Sequence, residues 1–418
     1  MRNLLLINFI LLSSISIGQE TLNLDYSLIV PVDYSNPKLG QTTISYEFGA
    51  TFSSKKPTIF IIADAQQFYV RKGSVKQLQN SLFDSTFNVV GIIGRNNNDD
   101  LKNSVIDNKG DINWTTAYNI FSWQQYVNDI DAVRKRILGK NGRILLYGQS
   151  GGGFLVHQYL SVFGRYVDKA FTGAAVNYSL DYESRINHDR FWEETCNQDP
   201  TFQGRFSQLI NNNYFPRDLI AMLFQRQNFF VKTDSLVYER NKLLNLLSIN
   251  DTSSINDYKL KYQIKDILSF YNSPDGIPIK VRLFEFILPL LKNFKIEIYK
   301  LRPDIENLYF SSLPLIEVFS KQQIKPGQME FNNLHLLKTN VFILSGRWDH
   351  TADYRSQIAL AFIYTNHYLF IANDNHTFIT LKNQGLYNKL LIEFFKYDPG
   401  DNNLADLLTK CEPYRWKE

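Results

Sequence analysis

Cysteine is scarce in this chain of 418 residues, which contains only Cys196 and Cys411. Two cysteines rule out a framework of several disulfides and allow one at most. A disulfide between them would close a very long loop, and two separate buried thiols are equally compatible with the sequence. Both possibilities stay open at this point, because separation along the chain does not place the two side chains near each other.

An excess of either charge is also lacking. Lys and Arg number 45 against 41 Asp and Glu, which gives a net charge of +4 at pH 7. No basic cluster with interleaved aromatic residues stands out, and we therefore expect no nucleic-acid partner. With 44% hydrophobic and 14% aromatic residues, the chain can bury a large core, as one domain with an insertion or as two domains.

Long apolar runs are missing beyond the N-terminus. No later segment has the roughly 18 continuous apolar residues of a spanning helix, so we expect no stable membrane insertion. The N-terminus combines Arg2, an apolar stretch at residues 4–12 and small residues at 16–18, a pattern typical of a signal peptide. No cysteine follows that stretch, which argues against a lipoprotein anchor. We predict a signal peptide at residues 1–18 and export to the periplasm or the medium; an uncleaved anchor is the alternative.

Buried strands and amphipathic helices alternate along much of the remaining chain. Residues 42–48 alternate between polar and apolar side chains, as in a half-buried antiparallel strand near a sheet edge. Short apolar runs typical of strands buried in a parallel sheet lie at residues 58–62, 89–93, 144–147, 170–176, 341–344 and 368–372. Residues 122–125 predict a capping box, followed by a helix with an apolar stripe at Val127, Ile130, Val133 and Ile137. The alternation predicts a doubly wound α/β fold with a mostly parallel sheet.

The alternation stops between about residues 178 and 335. This stretch contains helix-like patterns, such as residues 281–293, and no clear buried-strand run. We predict a mainly helical cap at 178–335, inserted into an α/β core made of residues 19–177 and 336–418. Residues 96–100 and 249–257 are rich in turn-forming side chains and are predicted to be exposed loops.

A G-x-S-x-G pentapeptide, Gly148-Gln149-Ser150-Gly151-Gly152, lies between the apolar run at 144–147 and a helix-like stretch. A strand, a sharp turn and a helix around such a serine describe a nucleophile elbow. The serine backbone is strained there, and small neighbours allow the backbones to approach closely. An ordinary serine on a glycine-rich turn is the alternative. The context predicts that Ser150 is a nucleophile.

A nucleophilic serine needs a base that takes its proton and an acid that orients the base. In this kind of fold the acid and then the histidine follow the serine, each just beyond a late strand. Asp349 follows the run at 341–344 and His376 follows the run at 368–372, so we predict both as catalytic. Asp353 and Asp374 are the fallback acids. The other histidines fit this order less well: His157, His188, His335, His350 and His367.

The chain resembles the α/β hydrolases, and within them the proline iminopeptidase and tripeptidyl aminopeptidase group of secreted serine peptidases. Residues 30–37 (Val-Pro-Val-Asp-Tyr-Ser-Asn-Pro) resemble the V-P-L-D-Y-x-x-P opening of those enzymes. The elbow with Asp349 and His376 matches their triad. Residues 191–196 resemble their aromatic-then-cysteine stretch, and residues 394–397 with Cys411 resemble their closing helix and late cysteine. The resemblance covers nearly all of the mature chain and implies an aminopeptidase without metal or organic cofactor.

The chain departs from this group at the turn that supplies part of the oxyanion hole. The group usually has a His-Gly-Gly-Pro-Gly turn, whereas residues 63–67 are Ala-Asp-Ala-Gln-Gln, with no glycine. The elbow predicts the N–H of Gly151 as one donor, and the second would come from Ala65 or Gln66. Losing one such donor typically costs about 10²–10³ in turnover. The nearby Asp64 is unfavourable, because a negative charge opposes a developing oxyanion.

Peptidases of this group bind a free α-amine through carboxylates near the cap. Glu183, Glu193 and Glu194 are the candidates, and the alternative is that they are ordinary solvated side chains. The sequence thus predicts an exported serine hydrolase, aminopeptidase-like, acting on a peptide through an acyl-enzyme. Two alternatives remain: a carboxylesterase of the same fold acting on a small ester, and a catalytically weak binding protein with a decayed oxyanion hole.

Overall fold

The computed structural model describes residues 25–67, 69–178, 180, 190–293, 303–398 and 400–417. The predicted signal peptide, residues 1–18, lies outside them. An eight-stranded sheet forms the centre of the described chain. Its strands are β1 (Asp25–Pro31), β2 (Gln41–Phe48), β3 (Thr58–Ile62), β4 (Asn88–Ile93), β5 (Ile144–Gln149), β6 (Val167–Gly173), β7 (Asn340–Gly346) and β8 (His367–Ala372).

The strands lie in the order β1-β2-β4-β3-β5-β6-β7-β8. Only β2 runs against the others: it pairs antiparallel with β1 and with β4, and every other neighbouring pair is parallel. All five residues of β3 are buried, as expected for a strand covered on both faces. The predicted fold class, a mostly parallel α/β-hydrolase sheet with inserted helices, is confirmed.

Nine α-helices of the described residues lie outside the β6–β7 connection. They are α1 (Val75–Leu82), α2 (Asp99–Asn103), α3 (Trp114–Phe121), α4 (Trp123–Leu138), α5 (Gly151–Phe163), α14 (Tyr354–Ile363), α15 (Ile379–Asn383), α16 (Leu386–Lys396) and α17 (Asn402–Cys411). Short 3₁₀ turns lie at Pro37–Leu39, Arg95–Asn97, Gly164–Tyr166 and Glu412–Tyr414. Between β6 and β7 lie α6 (Arg190–Gln198), α7 (Phe202–Asn212), α8 (Arg217–Phe230), α9 (Leu236–Ser248), α10 (Thr252–Lys261), α11 (Ile264–Tyr271), α12 (Gly276–Asn293) and α13 (Pro303–Ser320). We call α6 to α13 the cap helices.

The cap helices have a hydrophobic cluster of their own and a second one shared with the core. The first contains Phe191, Phe206 and Leu243. The second joins α3 to α12 and α13 through residues such as Phe121 and Phe284. No helix of the described residues is long and apolar enough to cross a membrane. The predicted boundaries of the cap stay a prediction.

The predictions at residues 96–100, 170–176 and 249–257 were wrong. The apolar run predicted at 170–176 forms β6 three residues earlier, because the chain leaves the sheet at Ala174 with a positive φ of 47°. Residues 96–100 and 249–257 are not simply loops. Asn98 and Asp251 cap helices α2 and α10, where their side chains accept hydrogen bonds from the N–H groups of Leu101 and Ser254. Turn-forming residues also favour helix N-caps, which the sequence pattern did not separate.

The helix predicted after residue 122 is α4, and Val127, Ile130 and Val133 are buried. Ser122 is its N-cap residue but makes no capping hydrogen bond through its side chain, so the predicted capping box does not form. A carboxylate of the cap helix α12 accepts from the first turn of α4 instead: Trp123 N donates to Glu285 Oε1 at 2.9 Å. Gln125 instead bonds the segment after β1, at Asp33 and Tyr34.

Cys196 and Cys411 are not joined by a disulfide, and Cys411 is buried. Of the two possibilities left by the sequence, separate thiols are the one observed.

Candidate active site

Ser150 lies on a sharp turn between β5 and α5. Its backbone has φ 56° and ψ −126°, a strained conformation that this kind of turn imposes on its serine. A Cβ added to Gly148 would lie 2.4 Å from Gly152 O, and one added to Gly152 would lie 2.4 Å from Ile62 O. Both contacts are to backbone, so the two outer glycines of the motif are required by close approach. Ser150 is only partly buried and can be reached from outside.

Ser150, His376 and Asp349 are joined by two short hydrogen bonds. His376 Nε2 lies 2.8 Å from Ser150 Oγ, and His376 Nδ1 lies 2.6 Å from Asp349 Oδ2. Asp349 follows β7 and His376 follows β8, and neighbouring parallel strands bring their carboxyl ends to the same edge of the sheet. A carboxylate can only accept, so Nδ1 carries the proton and Nε2 is the nitrogen free to accept from the serine.

The fallback acids are bonded elsewhere. Asp353 caps α14 and bonds Arg355, and Asp374 accepts from the N–H groups of Asn375 and Leu381. His157 is buried between Tyr364 and Thr172, where burial lowers its pKa to about 3. Nδ1 of His350 contacts Arg240, and His367 begins β8 rather than preceding it. His188 lies outside the described residues.

The sequence did not identify the residues through which α8 and the segment after it contact this site. Asn228 Nδ2 donates to Asp349 Oδ1 and to Thr351 Oγ1, at 3.0 Å each. The Phe229 ring lies edge-on to the His376 ring, with centroids 4.8 Å apart. The carbonyl of Val231 accepts from Asn375 Nδ2. Residues 228–231 therefore contact both the acid and the histidine.

Asp349 is held by more than one donor. Its Oδ1 also accepts from the backbone N–H groups of Thr351 at 2.9 Å and Ala352 at 3.0 Å. The residue is fully buried, and these hydrogen bonds satisfy an oxygen that burial removes from water. Asn228 supplies the third donor to this oxygen and is itself buried.

The glycine-free turn is tied to the elbow by Gln67. Its Oε1 accepts from the N–H groups of Asp64 and Gly152, at 2.9 and 3.0 Å, and its Nε2 donates to Gln149 O at 2.7 Å. Among the described residues, none accepts a hydrogen bond from the backbone N–H of Ala65 or Gly151. Ala65 is buried, whereas Gln66 is partly exposed. The turn and the elbow thus form one connected unit.

The charge of Asp64 is paired. Arg282 of α12 donates from Nε to Asp64 Oδ1 at 2.6 Å, and both side chains are fully buried. Arg282 also bonds Glu285 and the side chain of Gln158. A buried cation beside the carboxylate offsets the field that a lone Asp64 would exert on an oxyanion. No local pattern predicts this pairing, since 218 positions separate the partners.

Of the predicted amine-binding carboxylates, the two in the described residues, Glu193 and Glu194, both lie beside arginines. Glu194 is buried, and its Oε1 accepts from Arg190 and, at 2.9 Å, from Arg347. Burial raises the pKa of Glu194. Glu193 is half-exposed and lies 3.6 Å from Arg355. Glu183 lies outside the described residues.

No group of three or more His, Cys, Asp or Glu side chains in the described ranges is arranged to hold a metal ion.

Comparison with known proteins gives structural similarity only. No family model matches the sequence, and no curated protein matches it at a significant level. One similar solved structure is a bromoperoxidase from Bacillus anthracis: 14% identity, TM-score 0.44, covering 89% of this chain and 100% of that chain. Another is a homoserine O-acetyltransferase from Staphylococcus aureus: 13% identity, TM-score 0.43, covering 92% and 99%. A third is an esterase from Exiguobacterium antarcticum: 11% identity, TM-score 0.40, covering 85% and 96%. Similarity at this level assigns no activity to this chain.

Proposed function

We propose that this protein is a serine hydrolase that works through an acyl-enzyme. The observation that carries the proposal is the hydrogen-bonded chain from Ser150 Oγ through His376 to Asp349. The strained backbone of Ser150 adds to it, because such a turn presents the serine at the edge of the sheet. A serine, histidine and carboxylate joined in this order form the arrangement that activates a hydroxyl for attack on a carbonyl.

In the first half of the reaction, Ser150 Oγ attacks the substrate carbonyl carbon while His376 Nε2 takes the hydroxyl proton. The imidazolium then gives this proton to the leaving group, and an ester of Ser150 remains. Asp349 accepts from Nδ1 throughout, holds the tautomer and stabilises the imidazolium. In the second half, water takes the place of Ser150 Oγ as the nucleophile, attacks the ester with His376 as the base, and releases the acid product. The N–H of Gly151 stabilises the tetrahedral oxyanion, with a second donor from Ala65 or Gln66.

Two substrate classes are consistent with this chemistry. The aminopeptidase prediction comes from the resemblance and needs a carboxylate for the α-amine. Glu194 is bonded to two arginines, which favours the carboxylesterase alternative among the described residues. The Phe229 ring against His376 also suits an apolar acyl or alcohol group beside the base. We therefore place small esters first and N-terminal peptides second.

Two further proposals rest on the sequence alone. The first is that the protein is exported after removal of residues 1–18, which N-terminal sequencing of the protein recovered outside the cytoplasm tests. The second is that residues 178–335 form a cap over the core.

A fluorophosphonate probe tests the central proposal, because it labels an activated serine without requiring knowledge of the substrate. We expect labelling of the native protein and none of Ser150→Ala. If the native protein is not labelled, the hydrolase proposal fails and the binding-protein alternative gains support. Panels of p-nitrophenyl esters and aminoacyl anilides then separate the two substrate classes. Faster turnover of the anilides would reverse our order.

A further inference from the structure

The side chains of the glycine-free turn lie directly against Gly151. A Cβ added to Gly151 would be 2.4 Å from Asp64 Oδ2 and 2.5 Å from Gln66 Nε2. The Gln66 amide therefore lies next to Gly151, the residue that follows the nucleophile Ser150.

The neighbouring carboxylate determines how the Gln66 amide is oriented. Gln66 Nε2 lies 3.4 Å from Asp64 Oδ2. Because an ionised carboxylate accepts and does not donate, the amide nitrogen rather than its oxygen faces Asp64 and Gly151. An amide nitrogen has two N–H groups, and only one is directed to Asp64. The second is available to a group at Gly151.

Arg282 keeps Asp64 in this position and balances its charge. The Arg282 Nε to Asp64 Oδ1 bond leaves Oδ2 for Gln66. Glu285 competes for the same arginine, but burial raises the pKa of Glu285 to about 7, so its negative charge is incomplete near neutral pH. The connected groups run from the cap helix α12 to the side of Gly151.

We infer that the side-chain amide of Gln66, rather than a backbone N–H of the turn, is the second oxyanion donor beside Gly151 N–H. Asp64 and Arg282 are positioning residues for this amide. The inference rests on the proposed serine hydrolase function. It also explains how a turn without glycine is compatible with catalysis: the donor has moved from the backbone to a side chain, as amide side chains can do in oxyanion holes.

The experiment compares Gln66→Ala and Gln66→Glu with the native protein on a p-nitrophenyl ester. Gln66 is partly exposed, so both variants are expected to fold, which circular dichroism checks. We expect kcat to fall about 10²–10³-fold in Gln66→Ala, with KM changed much less. Gln66→Glu should lose more, because a carboxylate replaces the donor with a negative charge. Gln203→Ala, an exposed cap position, is the matched control and should keep native rates.

Arg282→Lys and Arg282→Met test the positioning role. The lysine variant keeps the charge beside Asp64 and should retain more of kcat than the methionine variant, with KM similar in both. A kcat of Gln66→Ala within threefold of native would overturn the inference and return the role to the backbone. Fluorophosphonate labelling keeps this failure separate from the larger one: native protein that labels no better than Ser150→Ala overturns the hydrolase proposal as well.

Discussion

Replacing Asn228 with alanine removes the side-chain donor that the cap helices supply to Asp349. Asp349 Oδ1 then keeps two of its three donors, the backbone N–H groups of Thr351 and Ala352. Loss of a working acid in a Ser-His-Asp triad costs roughly 10⁴ in kcat. Since most of the carboxylate's hydrogen bonds survive, we expect a smaller loss in Asn228→Ala, about 10- to 100-fold in kcat. This corresponds to about 1.4–2.8 kcal/mol of transition-state stabilisation.

Asn228→Ala should also lower the free energy of unfolding. A hydrogen bond to a charged group contributes about 1.5–3 kcal/mol to stability, and both partners are buried here. Urea unfolding of Asn228→Ala should therefore show a loss in that range. Asn212→Ala, an exposed position of α7, is the control and should change neither kcat nor stability.

Asn228→Asp separates positioning from mere stability. It exchanges the amide donor at Asp349 Oδ1 for a carboxyl group of nearly the same size, and two adjacent carboxylates repel each other unless they share a proton. kcat should therefore fall further than in Asn228→Ala at the pH where both carboxyl groups are ionised, which a purely structural role would not produce. If Asn228→Ala and Asn228→Asp both keep native kcat, Asn228 has no part in orienting the acid.

Three further predictions concern the elbow and the core. Gly152→Ala places a methyl group 2.4 Å from the backbone oxygen of Ile62, so fluorophosphonate labelling should be lost and the melting temperature lowered; labelling at the native rate would refute the requirement for glycine. Arg95→Met leaves the buried Asp129 without its ion-pair partner and should lower the free energy of unfolding in urea by about 3–5 kcal/mol. A loss below about 1 kcal/mol would contradict this prediction. Burial lowers the pKa of His157 to about 3, against about 6.5 in the unfolded chain, so its contribution to stability is present above pH 6.5 and is lost as pH falls toward 3. At pH 5 this loss is about 2 kcal/mol. Urea titrations at pH 7.5 and pH 5 should show a smaller difference in the free energy of unfolding for His157→Gln than for the native protein.

Much of the sheet and the catalytic order could be predicted from the sequence because both depend on local patterns. Strands buried on both faces appear as continuous apolar runs, and the boundaries mostly agree within a few residues. Asp349 and His376 follow such runs directly, so their order along the chain was enough to place them at one edge of the sheet. Chain termini and turns were less accurate: β1 carries no distinctive pattern, and the caps at Asn98 and Asp251 look like loops.

Contacts between distant parts of the chain could not be predicted in this way. Asn228 and Asp349 are 121 positions apart, and Arg282 and Asp64 are 218 apart. Asn228 and Arg282 are each an ordinary polar residue of a helix when the sequence is viewed alone. Only the packing of the cap helices on the core decides which asparagine or arginine meets which carboxylate. The periodicity of a single sequence does not predict such long-range contacts.

These long-range contacts change what the cap helices do. A cover that only shielded the site could move away and leave the three catalytic side chains intact. Here Asn228 bonds the acid, Val231 bonds the loop of the histidine, and Arg282 neutralises the turn beside the nucleophile. Movement of α12 away from the core would separate the buried Asp64 from its ion-pair partner Arg282, at a cost of several kcal/mol. Movement of α8 would remove one of the three donors to Asp349 Oδ1. The cap helices α8 and α12 therefore supply side chains that hold the candidate catalytic groups in place.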